Sequence, residues 1–269
     1  MPDTGWHSRI PFPPPRPIAL GDVIPLHEQF DNHDEFRSPA TDELAGVSLA
    51  LHLGNGDVID IEFADAAQLH WRARAPTQWG SQGSEAYEAV AVRDGVHAIT
   101  AGRPEESRSA LVILDRLSAR AMINHTEFRR VDGSIVEETT YVQAGIGAAL
   151  AKPFERTLDL IGKRIAQRYS TTHIFEHIYL NPNTYAFQGL AGPEAGVVDV
   201  DAADYFELGD QLYLFSWHER SQPFNGAVVL DLVALRATGR LTGWDADLDR
   251  MLQIRTGSLC TILSSTVYE

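Results

Sequence analysis

The chain has 269 residues, with 22 lysines and arginines against 37 aspartates and glutamates, a formal net charge of −15 and a sequence pI of about 5.0. Such a surface repels a phosphate backbone or an anionic membrane, which excludes nucleic acid and membranes as expected partners. Cys260 is the single cysteine. This rules out an internal disulfide and any multi-cysteine zinc or iron–sulfur site, and makes a reducing compartment, the cytoplasm, the expected location. No run reaches the roughly 20 apolar residues of a spanning helix, and the N-terminus lacks a basic and apolar leader pattern.

Residues 1–40 read as a Pro-rich extended arm. The stretch "RIPFPPPRPIALGDVIP" favours polyproline II, because each proline fixes φ and removes a donor. Ile10, Phe12, Ile18, Leu20, Val23 and Ile24 predict that the arm packs along the folded body or onto a second subunit, the latter giving a homodimer. Beyond the arm come short alternating runs bounded by Gly, Asp or Asn: VSLALHL, VIDIEFA, QLHWRA, EAYEAVAV, VHAIT, SALVILD, RAMINHTEF and SIVEETTYV. They predict up-and-down β structure over residues 41–145. "PFERTLDLIGKR" has a proline placed for a helix start and apolar residues at helical spacing, which predicts a short connecting helix at the entry to residues 146–269.

The second half repeats the first at an offset of 116 residues, as from Gly46 to Gly162. Leu44 meets Leu160, while Asp115, Arg120 and Ala121 meet Asp231, Arg236 and Ala237. The match fades after residue 125. The expected fold is therefore all-β, two similar antiparallel barrels in tandem, each closed so that no sheet edge is left bare. In the first copy Leu49, Leu51, Leu53, Ile59, Ile61 and Phe63 face inward and are expected to fill the barrel. At the same positions the second copy has Ile165, Gln167, Tyr169, Phe175, His177 and Tyr179. Leu69 and Trp71 fall on Tyr185 and Phe187. Strand parity adds Tyr213, Phe215, Trp217 and Glu219 to the inward face and turns Glu176 outward. Polar groups inside a barrel cost free energy unless partnered, so the second copy is expected to hold the larger cavity, for a ligand.

"HIFEH" from His173 to His177 matches a helical zinc-peptidase pattern. On a strand its histidines stand about 13 Å apart, at roughly 3.3 Å per residue, and the flanking residues favour a strand, so no metal is expected. "LGNGD" at Leu53–Asp57 reads as a hairpin turn rather than a phosphate loop. Ser216, His218 and Glu219 cannot form a triad, since neighbours on a strand face opposite ways. "AGPEAG" at Ala191–Gly196 reads as a connector, with a cover over a barrel mouth as the alternative.

With "YSTTHIFEHIYLNPNTYAFQGLAGPEAG" and "LYLFSWHERSQPFNGAVVLDLVALRATGRLTGWD", the second copy resembles the C-terminal domain of the molybdenum cofactor biosynthesis protein F (MoaF) family. "DELAG" and "YEAVAVRDG" resemble its N-terminal domain. That likeness implies a link to molybdenum cofactor biosynthesis. More distantly, each copy resembles the lipocalin-like (calycin-like) barrel of phenolic acid decarboxylases, whose first-strand tyrosines and "SWTE" motif are echoed by Tyr169 and by Ser216–Glu219. This second resemblance implies cofactor-free chemistry with Tyr169 and Glu219 as catalytic groups. Gln167 departs from it by replacing one tyrosine, and the loop Gly192–Asp201 lacks the arginine that clamps a carboxylate. Leu53 and Arg103 stand where Tyr169 and Glu219 do, so the first copy is expected to be structural.

The expected function is cofactor-independent lyase or isomerase chemistry on a small aromatic or phenolic molecule. Glu219, His177 and Tyr169 would be the acid–base groups. Gln167, Phe175, Tyr179, Tyr185, Phe187, Tyr213, Phe215 and Trp217 would line the site. The alternatives are a non-catalytic small-molecule carrier and an accessory role in molybdenum cofactor biosynthesis.

Overall fold

The structure, a computed structural model, describes residues 25–29, 32–77 and 80–268; Ile10 to Ile24 of the predicted arm lie outside them. Eight antiparallel strands close the first barrel: β1 (Ser48–Leu53), β2 (Val58–Phe63), β3 (Gln68–Thr77), β4 (Gly80–Arg93), β5 (Val96–Arg103), β6 (Arg108–Asp115), β7 (Arg120–Val131) and β8 (Ser134–Ile146). Each pairs with its successor, and β1 returns to β8. Alternation sets the faces. In β2, Ile59 and Phe63 are buried, while Asp60 turns out and takes the Arg74 guanidinium at 2.7 and 3.0 Å.

After a two-residue strand β9 (Glu155–Arg156), the second barrel runs through β10 (Lys163–Arg168), β11 (Ile174–Asn181), β12 (Thr184–Ala191), β13 (Val198–Gly209), β14 (Leu212–His218), β15 (Phe224–Asp231), β16 (Arg236–Asp245) and β17 (Arg250–Ser265). It closes through the pairing of β10 with β17. No helix among the described residues is long and apolar enough to cross a membrane.

The duplication holds at the level of single hydrogen bonds. Gly46 N–H donates to Phe63 O as Gly162 N–H does to Tyr179 O; Leu53 N–H reaches Asp57 O as Tyr169 N–H reaches His173 O. Both glycines sit at positive φ, 76° and 84°, in turns that drive Leu44 and Leu160, each fully buried, into the barrel ends. The fading match has a cause in the last hairpin. Arg129 pairs with Val136, and the strands run on to the Asp132–Gly133 turn. The equivalent pair, Asp245 with Arg250, already closes its loop, so the second copy is two residues shorter there and β17 falls out of register with the offset.

The predicted connecting helix is absent. Residues 154–162 form β9 and turns, because their apolar side chains answer to different partners. Phe154 packs between the barrels, with its N–H and C=O bound by the Gln143 amide at 2.6 and 2.9 Å. Leu160 plugs the second barrel, and one helical face could not serve both directions.

The barrels share a third core. Ala98, Leu111, Ile113 and Met122 of the first meet Phe206, Leu208, Leu212, Leu214, Ala227 and Val229 of the second. Arg93 of the first barrel binds Asp231 of the second through two 2.8 Å bonds. Arg240, wholly buried, donates to Asn124 and Thr126 across the junction.

Candidate active site in the second barrel

The strand parity expected from the repeat places the inward residues of the second barrel as read. Ile165, Tyr179, Tyr185, Tyr213, Phe215 and Trp217 belong to its core, with Phe187 packed against it. Ser216 and His218 face the first barrel instead: the serine hydroxyl receives the Asn124 amide of β7 at 3.4 Å, and the imidazole meets Glu137 at 2.8 Å. The "HIFEH" stretch enters strand β11. Glu176 pairs with Arg164 on the outer face, His177 points inward, and His173 sits before the strand against Ser170 and Thr172.

His177 stands among rings, with centroids 5.4 Å from Tyr185, 5.6 Å from Phe215 and 5.8 Å from Trp217. Burial pushes its pKa down to about 3, so it is neutral at physiological pH. Its tautomer follows from its neighbour. The Gln167 carbonyl oxygen accepts the Ser258 hydroxyl at 2.9 Å and the Tyr169 hydroxyl at 3.3 Å, so the Gln167 amide nitrogen must face His177 Nδ1, 2.9 Å away. His177 therefore accepts at Nδ1 and carries its proton on Nε2. Burial, with a smaller effect from Cys260, drives the Tyr169 phenol far above its ordinary value, so it remains a donor.

At the rim three carboxyls converge on this aromatic interior. Glu219 and Glu194 line a cavity of about 30 Å³ together with His33, Tyr169, Phe175, His177, Tyr185, Phe187, Trp217, Phe224 and Leu241. Burial first, then the Asp201 charge, raises the Glu219 carboxyl well above the usual range, although the Gln222 amide donates to it. Asp201 is itself pushed up to about 7 by burial, helped by Asp199, against the pull of the Arg220 N–H at 3.0 Å. Burial also raises Glu194.

The duplicated barrel shows what has changed. At the offset of 116, Asp201 and Glu219 occupy the positions of Glu85 and Arg103. In the first barrel that pair is a salt bridge of 3.1 Å; in the second, both members are acids. Near neutrality such a pair presents one protonated carboxyl beside one that is about half ionised, an acid and a base on the same rim.

The chain before the first barrel covers this mouth. The helical turn α1 (Leu26–Gln29) inserts Leu26 into the second barrel's core. Gln29 receives the Gln222 amide at 3.1 Å, and His27 meets Asp245 at 2.7 Å. His33 packs its ring 4.9 Å from Tyr169.

Of the residues read from sequence, Tyr169, Phe175, His177, Tyr185, Phe187, Trp217 and Glu219 line the cavity. Gln167 acts from behind, and Tyr179, Tyr213 and Phe215 pack deeper. Asp201, Glu194 and His33 were missed. Asp201 was legible as the acid opposite Glu219 at the place where the first copy has Glu85 facing Arg103. His33 had no sequence signal, since nothing local tells that this turn crosses the second barrel. The "AGPEAG" loop is a cover rather than a mere connector, because it delivers Glu194 to the pocket. The expectation that the larger cavity lies in the second barrel fails: the first holds a partly open cavity of about 130 Å³, because the rings of the second occupy its own interior.

Residues 23–130 match the MoaF N-terminal domain and residues 154–266 the MoaF C-terminal domain. A curated relative, Protein MoaF of Klebsiella aerogenes, is 39% identical over 111 residues, which cover 41% of this chain and 42% of that protein. The match thus spans under half the length of its curated relative. A crystal structure from Burkholderia vietnamiensis with a provisional beta-lactamase name covers 40% of this chain and 99% of its own, at 18% identity and a TM-score of 0.33, too low to carry an argument. Two domain matches, in the order and at the places of the two barrels, establish that the chain belongs to the MoaF family.

Proposed function

We propose that the second barrel takes a small, uncharged aromatic molecule and performs cofactor-independent proton transfer on it, as a lyase or isomerase. The carrying observation is the exchange of the Glu85–Arg103 salt bridge for the acid pair Asp201–Glu219 above an aromatic interior. Glu219, held protonated, donates to one atom of the substrate, and Asp201, partly ionised near neutrality, accepts from another. His177 offers its Nε2–H as a fixed hydrogen-bond donor, and Tyr169 a second hydroxyl; neither needs to change charge. The free volume holds a water-sized molecule, so the substrate ring enters as the strap bearing Leu26 and His33 moves aside. An accessory role in molybdenum cofactor biosynthesis fits this rim less well, since a phosphorylated pterin would meet Glu194 and Glu219 and, among the described residues lining the cavity, no arginine or lysine.

The test is proton exchange and turnover of neutral phenols and styrenes followed by NMR in D₂O. Glu219→Gln should lower the rate by roughly 10²-fold or more with no loss of folding stability, and Asp201→Asn should remove the base whose ionisation near pH 7 sets the acidic limb of the pH profile. Tight binding with no exchange or turnover across the panel would overturn the enzyme reading in favour of a carrier.

A further inference from the structure

The first barrel also has chemistry to account for. At matched positions it has Ala101 where the second has Trp217, Ile99 where the second has Phe215, and Ile59 and Leu69 where the second has Phe175 and Tyr185. The effect is clearest on one cross-strand pair. Trp217 pairs with Gly226, and a Cβ at that glycine would fall 2.1 Å from the indole. In the first barrel the same pair is Ala101 with Ala110. The indole is missing, its glycine seat has been filled with a methyl, and the space remains as a cavity of about 130 Å³ walled by Ile59, Ile61, Leu69, Trp71, Val112 and Ile123.

We propose that this cavity is a binding site for a neutral, apolar molecule the size of one aromatic ring, separate from the acid–base site and independent of it. The size follows from the volume, since an apolar cavity of about 150 Å³ stays dry and accepts benzene. Neutrality follows from the rim. Arg103 is bound by Glu85 at 3.1 Å and by Glu106 at 2.8 Å, and Arg108 by Glu106. His125 is neutral, held down to about 4 by burial and by the charges of Arg240 and Arg108. An anionic ligand would have to break these pairs and approach a protein of charge −15.

The experiment titrates the full chain, labelled at isoleucine methyls, with toluene, p-cresol and benzoate. The cavity predicts saturable shifts at Ile59, Ile61 and Ile123 with toluene and p-cresol and none with benzoate, while Ile165 reports separately on the second barrel. Ala101→Trp combined with Ala110→Gly transplants the second barrel's filling and should weaken toluene binding on the order of 10-fold or more. If that double variant does not fold, Ile123→Phe and xenon-pressurised crystals of the unaltered chain replace it, with xenon expected between Ile59, Leu69 and Ile123. Shifts confined to Ile165, equal affinity in the filled variant, or no ligand and no xenon in the first barrel would each overturn the proposal. None of these results bears on turnover at Glu219.

Discussion

Replacing Asp201 with asparagine isolates the energetic cost of the acid pair. In the folded chain the Asp201 carboxyl is raised from 3.8 to about 7, chiefly by burial. Below about pH 4 the group is protonated in both folded and unfolded chains and costs nothing. Between about pH 4 and 7 the unfolded chain releases a proton that the folded chain keeps, so stability falls as pH rises; above 7 the loss levels off. At 1.36 kcal/mol per pKa unit, the full loss is about 4 kcal/mol. The amide oxygen of the introduced asparagine can still accept the Arg220 N–H, so the fold keeps its local bond while the charge is gone. Urea unfolding from pH 4 to 8 should show the wild type losing about 4 kcal/mol more across this window than the variant. Glu219 titrates with the same sign and is coupled to Asp201, so part of the slope removed belongs to the pair. His218 provides a separate background: Glu137 and Asp204 outweigh burial and raise it to about 10, so its contribution is lost as pH climbs toward 10 and persists in the variant. Parallel wild-type and variant curves between pH 4 and 7 would refute the reasoning.

Three further outcomes follow from contacts elsewhere. Gly226→Ala drives a methyl into the Trp217 indole and should cost about 1 to 3 kcal/mol by overpacking, measured by chemical unfolding. Leu44→Ala and Leu160→Ala each empty a fully buried plug and should cost about 2 to 5 kcal/mol apiece; similar losses at the two sites would confirm that the plugs are equivalent. Arg93→Ala removes both bonds to the mostly buried Asp231 and should cost about 2 kcal/mol, with faster hydrogen exchange along the inter-barrel core.

The fold was legible because its two signals are local and repeated. Alternation in segments such as Val58–Phe63 fixes the strand faces, and Gly46 with Gly162, each needing positive φ, marks the same turn in both copies. The helix read at Pro153–Arg164 failed because periodicity within a dozen residues is blind to where each side chain is anchored, and here Phe154 and Leu160 belong to different cores. The site was legible where strand parity sufficed, as for His177 and Trp217. It was not legible where distant chain converges: His33 reaches the pocket from before the first barrel, and Glu194 through a loop with no periodicity. The cavity sizes ran against expectation for a different reason. Side-chain polarity is no sign of open space, because Tyr185 and Trp217 are large enough to fill the room that their polar atoms suggest.

Duplication offers each barrel freedom the other constrains. Both must close eight strands around a plug, and both keep the leucine–glycine turn and the hydrogen bonds that set it. What differs is how the interior and rim are used. The second barrel fills its centre with rings, which leaves little free volume but gives His177 a dry, fixed setting. It also reverses one charge at the rim, from the arginine position at 103 to the glutamate at 219. That single reversal converts a neutralised ion pair into two acids that cannot both ionise at low cost. The first barrel keeps the ion pair and gives up the indole, so its rim is inert and its centre open. One copy thus holds two acids with little free volume, the other a neutralised pair with the larger cavity. The junction that joins them runs from Arg93–Asp231 to the buried Arg240, which donates to Asn124 and Thr126.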